Sequence, residues 1–168
     1  MRLALFLIGA LTIAQPARSG DLLGLENEKS MMLKGEVVDL VCALTGRCAP
    51  NCGGGQRQLA LRATDGKLYA TVKSTVDFAG ANADLLPHCG RTIEVDGLLL
   101  ESPRMRLYLV QSIRARDGDP WAPTNAFLTG WRAKHGPAEE WYRADPTVKE
   151  IIGADGVLGV KGLEPPKK

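Results

Sequence analysis

The chemistry open to this chain of 168 residues rests on four cysteines and two histidines. Cys42, Cys48 and Cys52 share one segment, CALTGRCAPNCGGG, while Cys89 stands apart, directly after His88. Two uses fit such a set. In an oxidising compartment an even number of thiols closes two disulfides, with three possible connectivities. A Cys42–Cys89 bridge with a local Cys48–Cys52 staple would tie distant strand ends, and a loop of that size is worth about 4 kcal/mol in the chain-entropy view. Alternatively the thiolates, with His88 as a further ligand, hold Zn or Cu(I), soft donors suiting a soft metal. The C-x5-C-x3-C spacing matches no zinc ribbon or finger. The expectation is therefore disulfides and no cofactor, with Cu or Zn as the alternative.

Other chemistry finds less support. The chain has no C-x-x-C for a dithiol oxidoreductase and no C-x-x-C-H for covalent haem. Gly53 to Gly55 lack the following Lys-Ser/Thr of a phosphate loop. His135, beside Gly136, suits a helix end, and Glu139-Glu140 suit a first helical turn. No Ser-His-Asp or Cys-His-Asn order emerges, so a non-enzymatic protein is expected.

The elements that must position the cysteines begin after an export signal. Residues 1–19 open with a positive charge at Arg2, followed by an apolar run from Leu3 to Ala14 and small residues Ala17 and Ser19 before a cut. That run is too short to span a bilayer, which takes roughly 20 residues. The expected mature protein has no membrane span and is periplasmic or secreted, in surroundings that form disulfides. With Arg2 and Arg18 removed, 19 of the 21 Lys and Arg remain against 19 Asp and Glu. A net charge of zero offers no polycation for phosphates.

After a leader, 20–33, the GEVVDLVCAL run opened by Gly35 predicts a buried strand continuing through Cys42. Leu59, Leu61 and Ala63 alternate with polar positions, as do Leu68, Ala70 and Val72, and Asp65-Gly66 between them predicts a primed hairpin turn. Ser74 to Pro87 predicts a short helix or irregular connection. Ile93, Val95, Gly97 and Leu99 mark a fourth strand, and Leu107, Leu109, Gln111 and Ile113 a fifth, joined through ESPRM.

Strands one to three, a connection, then two strands over 34–116 resemble an OB-fold, a five-stranded Greek-key barrel. The likeness to small exported bacterial OB-fold proteins rests on Gly35-Glu36-Val37 and on TIEVDGLL, Ile93 to Leu99. The fold class expected is mainly β with C-terminal α. In such a barrel the fourth strand runs antiparallel beside the first, so Cys89 would join the other three sulfurs at one rim. OB-folds that hold single strands of nucleic acid need aromatic platforms and a basic groove. Here Tyr69, Phe78 and Tyr108 are the barrel's aromatics, so no nucleic-acid partner is expected.

Beyond a Pro-rich linker, 117–123, Thr124 predicts the cap of a helix carrying Phe127, Leu128 and Trp131. Pro137 opens a turn with Trp141 and Tyr142, and Asp145-Pro146 a third helix, stopped by Gly153. Such short helices over 124–153 need a surface to pack on. Trp121, Phe127, Trp131, Trp141 and Tyr142 are accordingly the candidates for contact with a protein partner, followed by a flexible tail at 154–168.

Overall fold

A computed structural model describes residues 20–73 and 81–163. The expected signal peptide, part of the connection after the third strand, and the last five residues lie outside the described residues. Six strands form one sheet: β1 (Glu28–Asp39), β2 (Leu59–Ala63), β3 (Leu68–Lys73), β4 (Thr92–Glu101), β5 (Arg106–Arg114) and the two-residue β6 (Ala122–Pro123). β1 pairs antiparallel with β4 along most of its length, Glu28 opposite Leu100 and Glu36 opposite Thr92. Its last residues, Gly35 to Asp39, pair with β2, and Gly35 and Glu36 pair with both strands. One strand therefore serves both halves of the barrel. At the crossover, Gly35 leaves room that a side chain would lack, since a Cβ there would lie 3.0 Å from the Arg62 carbonyl oxygen.

β2 and β3 form the expected hairpin. Its turn differs from the primed type: of Asp65 and Gly66, Gly66 alone has positive φ (80°), and Ala63 N–H donates to Lys67 O at 3.0 Å. This is a three-residue loop with glycine at its left-handed position, and Asp65 holds it by accepting from Lys67 N–H. β4 and β5 are antiparallel, and β5 closes the barrel by pairing parallel with β3, Ala70 opposite Leu107. The result is a closed five-stranded mixed barrel of OB-like order, with β6 added on β5 and short helices following.

The alternating residues do fill this barrel. Val37, Leu59, Leu61, Ile93, Val95, Tyr108 and Val110 are fully buried in one cluster, closed at one end by Leu85 of α2 (Asn82–Leu85). The Tyr108 phenol crosses the interior and donates to the carbonyls of Met31 and Val95. Burial pushes its pKa up, so it stays protonated and keeps donating. Alternation along β4 slips once, at a bulge between Asp96 and Gly97. There Gly97 is packed so closely that a Cβ would sit 2.0 Å from the Leu109 carbonyl oxygen. The opposite face is covered too: Leu98 and Leu109, a cross-strand pair, are buried, and Gly20 lies against Gly97 while Asp21 exchanges two hydrogen bonds with the Gln111 side chain.

Three expectations about boundaries change. β1 starts at Glu28, inside the segment read as a leader, because that stretch has β4 as its partner. β1 also ends sooner than predicted: Asp39 accepts from Val41 N–H and Cys42 N–H and so starts α1 (Leu40–Thr45). A cap that satisfies two otherwise unpaired amides overrides the β preference of the Val- and Leu-rich run. Third, Thr124 is not a helix cap. It is buried, its hydroxyl donating to Val110 O, and Asn125 stands at the cap of α3 (Ala126–His135).

Candidate functional site

The four cysteines form two disulfides, Cys42–Cys48 and Cys52–Cys89. The expected pairing of Cys42 with Cys89 and Cys48 with Cys52 is therefore corrected. The cause is α1. Gly46 at φ 73° ends that helix with its N–H on Cys42 O, and Cys48 N–H then reaches back to Gly46 O, folding Cys48 against Cys42. Cys52 is left for Cys89. It is buried in a short 3-10 turn (Pro50–Gly53), where Asn51 and Cys52 take φ of 49° and 48° and Gly53, Gly54 and Gly55 continue with positive φ. Left-handed backbone costs a non-glycine residue about 1 kcal/mol, so the loop needs anchoring. The Cys52–Cys89 bridge supplies it.

Cys89 is held from its other side by β1. Gly90 N–H donates to Val37 O and Val37 N–H to Arg91 O, at 2.9 and 3.0 Å. The β4 entry and the β1 exit thus meet, and Cys42, Cys52 and Cys89 line one cleft of about 250 Å³ with Val37, Ala43 and Ala49. This is below the range of about 300–1,000 Å³ usual for small-molecule pockets. Its charged groups are already engaged: Arg57 pairs with Asp39 at 2.8 Å and Arg62 with Glu36 at 2.7 Å. Among the described residues no three His, Cys, Asp or Glu side chains are grouped to hold an ion. His88 lies half-buried before Cys89, its pKa lowered by burial and by Arg91, while its sulfur neighbour is spent in the bridge.

The Asp39 carboxyl has an acid-dependent role. Burial raises its pKa, but the Arg57 guanidinium and the amides of Cys42 and Val41 outweigh that and hold it below its ordinary value. A carboxyl with a depressed folded pKa stabilises above its unfolded pKa, and that contribution disappears as pH falls through the folded value. We expect Asp39→Asn to melt below the parent protein at neutral pH, with the two melting curves converging below about pH 4. Calorimetry across pH 2 to 7 checks this; a gap that persists unchanged in acid would remove the ionised carboxylate from the account.

The C-terminal candidates divide. Phe127, Trp131, Trp141 and Tyr142 are brought together, with ring centroids 4.8 Å apart for Phe127–Trp141, 6.0 Å for Trp131–Trp141 and 6.1 Å for Trp141–Tyr142. Trp121 is not part of this group; it lies under the Arg114 guanidinium, 4.7 Å from it. Trp131 is buried, and its indole N–H donates at 2.5 Å to Asp145. Asp145 also caps α5 (Pro146–Asp155), accepting from Thr147 and Val148 N–H, while Trp141 and Tyr142 sit on α4 (Trp141–Ala144). The helices thus hold each other through one carboxylate.

Gly153 does not stop α5, which continues to Asp155 and ends at Gly156, where φ is 80°. No residue of α5 is buried. Ile151 and Ile152 are exposed, as are Val157, Leu158, Val160 and Leu163 beyond it, in the segment read as a tail. None of these six is among the partner-contact candidates read from the sequence, although Ile151 and Ile152 are expected on the third helix, because spacing alone does not say whether a side chain is covered. Comparison with protein families, with curated proteins and with solved structures finds no match for this chain.

Proposed function

We propose that this is an exported, non-enzymatic accessory module that binds a protein partner through its C-terminal helices. One observation carries the reading: a disulfide-braced barrel continues into a helix with no fully buried residue, followed by further exposed Val and Leu side chains. Water-facing apolar groups concentrated in one stretch mark interaction surfaces, since isolated folding gains nothing from them. Ile151 is 51% exposed and Val157 67%. The two disulfides fit an oxidising compartment. The aromatic cluster of Phe127, Trp131, Trp141 and Tyr142 acts as the platform that presents this stretch, with Phe127, itself exposed, at its border.

A photo-crosslinking residue at Ile151, introduced in the producing cell, tests the proposal. The expected result is one discrete protein adduct in the exported fraction, absent when the same residue replaces Lys67 in the β2–β3 turn. Ile151→Glu with Ile152→Glu should abolish an adduct formed from Val157 while leaving the melting temperature unchanged, because neither side chain is buried. A chain found uncleaved in the cytosol, or crosslinks as sparse at Ile151 as at Lys67, would overturn the reading.

A further inference from the structure

The two disulfides occupy opposite environments. From Leu40 to Ala49 the chain holds Cys42–Cys48 and not one buried side chain. Polar contacts tie that segment down: Asp39 caps α1, and Arg57 donates both to Asp39 and, at 2.7 Å, to the Arg47 carbonyl. Cys48 is exposed and Cys42 half-buried beside the cleft. Cys52, in contrast, belongs to the hydrophobic core, and Cys89 packs against it. A nucleophile in solution therefore meets an exposed residue at one bridge, Cys48, and at the other only the buried Cys52 and the half-buried Cys89. Opening the accessible bridge removes no core contact, whereas opening the buried one releases the left-handed loop.

We propose that Cys42–Cys48 is a reversible dithiol–disulfide couple that exchanges with a dithiol protein, while Cys52–Cys89 is a fixed brace. A partner thiolate attacks Cys48 Sγ, carried by the exposed cysteine of the pair, forming a mixed disulfide. The Cys42–Cys48 bond breaks, and Cys42 Sγ leaves with the electron pair and takes a proton from water. The partner's second thiolate then attacks its own sulfur in the mixed disulfide, and Cys48 departs as a thiolate that is protonated in turn. Two electrons pass from the partner, which becomes a disulfide, to this chain, which gains two thiols. Access governs which sulfur is attacked in such exchange, and of the four cysteines Cys48 is the exposed one. The reduced segment keeps its Asp39 cap but loses its covalent closure, so α1 and the cleft wall it forms are freed to move. Exchange at this bridge is an activity beyond partner binding and does not depend on it.

Reduced glutathione is the site-mapping probe, added in graded amounts to the full chain with both disulfides formed. Samples are quenched in acid, alkylated and peptide-mapped. The expected products are a glutathione adduct on Cys48 with alkylated Cys42. With dithiothreitol as the dithiol probe, Cys42–Cys48 should open at a concentration at least about tenfold below that required for Cys52–Cys89. Near-UV circular dichroism should hold its folded signal at that stage, and removing the reductant should restore the Cys42–Cys48 pair. Adducts on Cys42, Cys52 or Cys89, reduction of both bridges at one concentration, loss of the folded signal with the first bridge, or reoxidation to a Cys48–Cys52 pair would each overturn the proposal.

Discussion

Replacing Cys52 and Cys89 together by serine lowers the free energy of unfolding by about 4 kcal/mol, and replacing Cys42 and Cys48 together costs about half of that. The first bridge closes a separation of 37 residues and the second only 6. Cross-linking restricts the unfolded chain more as the loop grows, which sets the order of the two effects. The folded state adds to the difference. Cys52 is a core residue in left-handed backbone, so without its bond the strained 3-10 turn loses its tie to the β4 entry. Urea unfolding under non-reducing conditions measures both variants. Equal losses from the two pairs would show that loop length and burial do not rank these bridges.

Gly97→Ala destabilises the barrel by about 3 kcal/mol, the upper part of the usual cost of overpacking. The obstacle is backbone, since the added methyl would lie 2.0 Å from Leu109 O and 3.2 Å from the Gln111 amide nitrogen. A flexible side chain would move aside, but a strand in the centre of a closed barrel has nowhere to go. The bulge at this point exists to bring β4 and β5 that close, and Gly20 presses on it from outside. Gly130→Ala provides a comparison, for nothing lies within 4 Å of the Cβ it would add. It should be neutral or slightly stabilising, as glycine inside a helix usually costs roughly 1 kcal/mol against alanine. Thermal melts of the two variants differing by less than the error would contradict the packing described for β4.

How far the sequence could be read depends on whether a feature was local or topological. Alternation at Leu59, Leu61, Ile93 and Val95 reports directly which side chains face inward, and these residues are buried. Asp145-Pro146 starts a helix through contacts with its own next residues, and those bonds are present. The barrel rim was inferable because strand order alone sets the end of β1 beside the start of β4. Connectivity was not inferable from that order: it turns on α1, hence on whether Asp39 caps a helix or Val41 extends a strand. Both signals lie in the same few residues, and only the folded chain shows the cap prevailing. Gly153 misled in a related way. Glycine ends a helix where the backbone must turn left-handed, and Gly156 is the residue that does so. Exposure of Val157 to Leu163 had no local signature, because solvent contact is a property of what is not packed nearby.

The parallel pairing of β3 with β5 also governs the order in which the fold is completed. Synthesis delivers β1 first, yet most of its partners arrive with β4, and the ring shuts only when Arg106 to Arg114 has emerged. A chain halted before that point would display β3 and β4 as bare margins, each a row of unused amides and carbonyls ready to template another strand. Fragments ending short of Arg106 should consequently associate with one another, while those ending just past Thr124 carry their own closing strand and remain single.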